Sequence, residues 1–122
     1  MNEINQNQNM RKHCLALDLK DDDALIAKYE EYHNNVWPEV LESLSNSGIN
    51  YMEIYRVGNR LFMIIEVDDN FSFDKKARMD ADNDRVQDWE VLMWNYQQAL
   101  PFAEPGEKWL PMDKIFEFKA AI

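Results

Sequence analysis

The spacing of apolar positions along this chain of 122 residues switches between strand-like and helix-like periods. Arg11 to Leu19 (RKHCLALDL) reads as a first strand. Leu25, Tyr29, Tyr32, Val36, Val40 and Leu44 then recur every three or four residues, the pattern of an amphipathic helix. Asp21-Asp22-Asp23 supplies acidic charge and a capping side chain at its start. Pro38 interrupts the helix, and Gly48 stands where a left-handed cap would end it. Asn50 to Val57 and Leu61 to Val67 flank Gly58-Asn59, a hairpin by turn chemistry. A second helical region runs from Phe71 to Met79 and on from Arg85 to Gln98, with Val86, Trp89, Leu92, Met93 and Tyr96 on its apolar face. Pro101 and Pro105-Gly106 mark a loop, and Met112 to Phe118 is predicted to be the last strand. The order is βαββαβ, an α+β arrangement of the ferredoxin-like type.

Leu61 to Val67 (LFMIIEV) barely alternates, so both of its faces should be covered. Helices of the same chain reach one face in so small a domain. A second subunit is then expected on the other, with a central strand enclosed by one chain as the alternative.

Composition narrows the function. Residues 10–122 are expected to form one domain, and Met1 to Asn9, rich in Asn and Gln, a disordered or loosely packed tail. The net charge of −10 opposes phosphate backbones and anionic membranes, so neither nucleic acid nor membrane is an expected partner. A neutral ligand such as a sugar tolerates an acidic surface, although solubility alone explains the charge. Neither a signal-peptide core nor a membrane span is legible. The one cysteine, Cys14, reads as a reduced core thiol, and the expected location is the cytoplasm.

Candidate chemistry concentrates in Tyr29-Glu-Glu-Tyr-His33-Asn-Asn-Val-Trp37-Pro38-Glu39. Tyr29 and His33 share a helix face. Asn34-Asn35 and the Trp-Pro step place His33 near a helix end, where unpaired carbonyls favour the imidazolium form. A poised proton donor beside a phenol suits acid–base work on a small polar substrate. The plainer reading is a hydrogen-bonded bystander histidine. Asp80, Asp82 and Asp84 imitate the opening of a calcium loop, but Arg85 stands where that loop needs glycine and Val91 where it needs glutamate. A solvated acidic connection is expected there instead. His13 and His33 lack zinc-ligand spacing. No metal or cofactor is expected.

These segments resemble the L-rhamnose mutarotase family, in which Tyr-x-x-x-His is followed closely by Trp-Pro-Glu. Arg60 to Glu66, Met79-Asp80 through Trp89-Glu90, Tyr96-Gln97-Gln98 and Pro105 to Trp109 are similar to its L-fucose mutarotase branch. The resemblance spans about Arg11 to Phe118. It implies a dimeric α/β barrel, a homodimer acting on a monosaccharide by exchanging α and β anomers, with no cofactor. It also implies that His33 is the catalytic proton donor and that Tyr29 and Trp89 contact the sugar. Members of the rhamnose type carry two adjacent tryptophans where this chain has Trp89-Glu90, so L-fucose is expected ahead of L-rhamnose. A pocket tyrosine of that type falls on Met52, with Tyr51 adjacent and facing the other way unless a bulge turns it inward. Trp37 is expected to pack at the helix break. Glu53, Glu66 and Glu117 lie on predicted strands with their facing open, and the matching base is unassigned between a strand carboxylate and a water. A noncatalytic small-metabolite module and a cofactor-free oxygenase are the competing readings.

Overall fold

The computed structural model describes residues 11–121. The tail expected over residues 1–9 lies outside them. The chain runs β1 (Arg11–Leu19), α1 (Asp23–Tyr32), α2 (Pro38–Asn46), β2 (Ile49–Val57), β3 (Arg60–Val67), α3 (Phe73–Ala81), α4 (Asp84–Trp94), β4 (Gln97–Gln98) and β5 (Leu110–Pro111). Each helical region of the sequence is therefore a helix pair. Asp22 caps α1 through the Leu25 amide at 3.0 Å. Asn34-Asn35 forms the turn, and Pro38 opens α2 at the position where a missing amide costs nothing. Ser72 caps α3, and Asn83 accepts from the Arg85 and Val86 amides to start α4.

Gly48 follows α2 at φ +100°. A Cβ there would come within 2.8 Å of an Asp68 carboxylate oxygen and 3.1 Å of the Phe71 amide nitrogen, so only glycine fits the turn into β2. Gly58 supplies the positive φ of the β2–β3 hairpin.

The strands order as β2-β3-β1-β4, with β5 also on β1, and every pairing is antiparallel. The α+β class holds, but the expected barrel does not. Among the described residues the outer edge of β2 meets no strand, and β4 and β5 are two residues each, so the sheet stays open. The simple βαββαβ succession is likewise replaced by paired helices and a fifth strand.

The expected last strand from Met112 to Phe118 is absent as well. Pairing with β1 goes no further than Leu110–Pro111 and the Met112 amide, which donates to the Cys14 carbonyl at 2.7 Å. The side chains from Met112 to Phe118 are exposed, so no apolar burial holds this segment on the sheet.

Helices cover one face of the sheet. Leu19, Tyr29, Val40, Leu61, Trp89 and Met93 form one core group, and Leu15, Ile49, Ile65, Val67 and Phe71 a second. The other face carries Phe62, Ile64 and Cys14, half-buried, beside the exposed rings of Tyr51 and Tyr55.

Candidate active site

Between the helices and the inner face of the sheet lies a cavity of about 550 Å³. That size is within the range of small-ligand sites. The bend between α1 and α2 aims His33 into it. His33 closes α1, its amide donating to the Glu30 carbonyl at 3.1 Å, and its Nδ1 lies 2.9 Å from the Tyr29 carbonyl oxygen. A carbonyl only accepts, so Nδ1 carries hydrogen and Nε2 is the nitrogen free to exchange a proton. Burial holds the imidazole pKa below its ordinary 6.5, and the bond to the carbonyl opposes that only in part. Desolvation thus outweighs the helix-end carbonyls, and His33 rests neutral rather than as the imidazolium expected from sequence.

Tyr29 and Trp89 line the same cavity. The Tyr29 and His33 rings lie 4.4 Å apart, and Trp89 meets His33 edge-on at 5.7 Å. The Tyr29 hydroxyl accepts a hydrogen bond from Gln97 Nε2 at 3.4 Å, which leaves its own hydrogen free to donate. Burial raises the phenol pKa above 10, with the Gln97 bond acting the other way, so the group stays protonated. Trp37 packs behind, 5.2 Å from Trp89 and with the Arg85 guanidinium 4.0 Å over its ring.

Met52 lines the cavity, whereas Tyr51 is exposed and donates to Glu53 at 3.1 Å on the outer face. A bulge does interrupt β2 between Ile49 and Tyr51, but it does not turn that tyrosine inward. Glu90 reaches the cavity rim, 3.7 Å from Lys108 Nζ, on the loop that also brings Trp109. Glu53, Glu66 and Glu117 do not line it.

Polar residues of the cavity that escaped sequence reasoning include Asp80, Lys76 and Ser43. Asp80 is buried rather than part of a solvated connection; Lys76 Nζ donates to its Oδ2 at 2.5 Å and Ser43 Oγ to its Oδ1 at 3.5 Å. The inward stripe of α3, Phe73, Lys76-Ala77 and Asp80, could have revealed Lys76 and Asp80 by helical spacing; Ser43 belongs to α2. Among the described residues no group of His, Cys, Asp or Glu is arranged to hold a metal, and no helix is long and apolar enough to cross a membrane.

An open α+β sheet with a sugar-sized, aromatic-walled cavity and one titratable imidazole defines a small-ligand acid–base site. Residues 12–118 match the family model for L-rhamnose mutarotase. An L-fucose mutarotase of Xanthomonas campestris is 47% identical over 93% of this chain and 92% of its own length. An L-rhamnose mutarotase of Bacillus subtilis is 36% identical over 51% of this chain and 61% of its own. The crystal structure of an L-rhamnose mutarotase from Formosa agariphila superposes with a TM-score of 0.65, covering 89% of this chain and 99% of that one at 23% identity, a likeness of fold. The chain belongs to the L-rhamnose mutarotase family and is a carbohydrate isomerase of the mutarotase kind.

Proposed function

We propose that this mutarotase acts on a 6-deoxy-L-hexose, L-fucose ahead of L-rhamnose, with His33 as the catalytic base and Tyr29 and Trp89 as its sugar contacts. The observation that carries the roles is the Nδ1 bond to the Tyr29 carbonyl, which leaves a neutral imidazole with Nε2 for proton exchange. His33 Nε2 takes the proton of the anomeric hydroxyl while the Tyr29 hydroxyl gives its proton to the ring oxygen. The bond between C1 and the ring oxygen breaks, leaving the aldehyde. After rotation about C1–C2 the hydroxyl adds to the other face; its proton returns to Tyr29, and the imidazolium reprotonates the new anomeric oxygen. Each step is balanced without oxidant, metal or nucleotide, and each positioned group contributes on the order of 10² to 10⁴ in rate. The Trp89 ring supplies an apolar wall for the C–H face of the sugar.

The preference for L-fucose rests on the 47% identity to the Xanthomonas relative. Parallel exchange rates for the two sugars test it: a higher kcat/KM for L-rhamnose would reverse the assignment.

A homodimer is also proposed, because Phe62, Ile64, Tyr51 and Tyr55 form an apolar outer face that the helices of the described residues do not cover. A monomer at all concentrations in sedimentation would refute it. The single thiol, Cys14, fits a reducing, cytoplasmic setting.

A further inference from the structure

Helices dock through apolar residues, yet the only buried residue of α3 is a carboxylate, Asp80. Its position is unfavourable on three counts. It sits in the last turn of α3, where the helix end already carries partial negative charge. Its cation, Lys76, precedes it by four residues, the less stabilising order for such a pair. Removing a carboxylate from water has a further cost that one ion pair repays poorly. An apolar residue would secure α3 at less expense, so stability does not account for Asp80.

The surroundings do account for it. Asp80, Lys76 and Ser43 all line the cavity that holds His33. The Lys76 ammonium and Ser43 hydroxyl anchor one lone pair on each carboxylate oxygen, and Gln87 Nε2 fixes the Asp80 carbonyl at 2.8 Å. Each carboxylate oxygen keeps acceptor capacity, and the ammonium keeps two hydrogens. A rigid carboxylate with a spare acceptor on each oxygen matches two neighbouring hydroxyls of a pyranose, and the ammonium can donate to a third sugar oxygen. His33 lies at the end of α1 among Tyr29 and Trp89, whereas Asp80 belongs to α3 and touches α2 through Ser43.

We infer that Asp80, held by Lys76 and Ser43, is the specificity-determining residue that binds the C3 and C4 hydroxyls of the sugar. This rests on the mutarotase reading, in which C1 lies at His33 and turns the C3–C4 edge elsewhere. L-Fucose and L-rhamnose differ in configuration at C2 and C4, so a carboxylate spanning C3 and C4 distinguishes them directly.

The test measures KM and kcat for anomeric exchange, and the dissociation constant by tryptophan quenching, with L-fucose and 4-deoxy-L-fucose. Asp80→Asn should raise KM and the dissociation constant for L-fucose about 10- to 100-fold, the worth of a hydrogen bond to a charged group. The loss should fall on KM rather than kcat. Deleting the 4-hydroxyl should weaken binding by a similar factor in the wild type and by less than about threefold in Asp80→Asn, since the partner is already gone. Lys76→Met, which keeps the length of the side chain, should show the same pattern more weakly and decides the matter if Asp80→Asn does not fold. Undiminished sensitivity to the 4-hydroxyl in a folded variant overturns this assignment while wild-type exchange leaves the mutarotase reading standing. A wild type that neither binds nor exchanges either sugar overturns both.

Discussion

The chain is built from two successive strand–helix–helix–strand units, and the first helix of each ends at the same cavity. α1 delivers His33 and α3 delivers Asp80. Their surroundings differ. His33 stands among the rings of Tyr29 and Trp89, and desolvation pushes its pKa down. Asp80 stands against an ammonium and a hydroxyl. An aromatic enclosure keeps a titratable group neutral and ready to exchange a proton. An ammonium and a hydroxyl hold a carboxylate in place and suit it to binding hydroxyls. One backbone device thus serves proton transfer in one half and recognition in the other, and the difference lies in what surrounds the side chain.

Replacing His33 by Ala should have the largest effect, lowering kcat about 10²- to 10⁴-fold with circular dichroism unchanged. The contrast between the two units breaks if that loss appears in KM instead. The pH dependence of the wild type sharpens the same point. A neutral base with a pKa below 6.5 predicts a rate that is flat through neutrality and falls as pH drops through that pKa. An imidazolium donor would instead gain activity on acidification. The stability linkage has the same sense: because the folded pKa is lowered, the contribution of His33 is complete above 6.5 and declines as pH falls toward the folded value.

Tyr29→Phe should lower the rate about 10²-fold, the lower end of the range for a positioned proton-transfer group, because water can enter the vacated place. Wild-type kinetics at low sugar concentration would remove the hydroxyl from the mechanism. Glu90→Gln should change the fucose-to-rhamnose ratio by less than about threefold, because its pairing with Lys108 at 3.7 Å is partly solvated. A larger change would move discrimination from α3 to α4.

Much of this was legible in residue spacing. The β1 span, the Gly58-Asn59 hairpin, the break at Pro38 and the Gly48 cap all depend on local chemistry, and the folded chain has them. The last strand is absent although its apolar residues satisfy a strand pattern, because among the described residues those side chains find nothing to bury against, a nonlocal fact. The same limit hid the openness of the sheet. Tyr29 and His33 could be placed together because one helical turn relates them. The direction of the His33 pKa could not, since it is set by burial in the folded chain. In sequence Asp80 belongs to an acidic run with Asp82 and Asp84, and only the docking of α3 buries the first of the three.

The most direct measurement is magnetisation-transfer NMR of anomeric exchange in L-fucose, comparing wild type with His33→Ala at neutral pH. Fast exchange with the wild type and its near-complete loss in the folded variant is the predicted result. Equal exchange by both proteins would contradict the assignment of His33, and none by either would contradict L-fucose as the substrate.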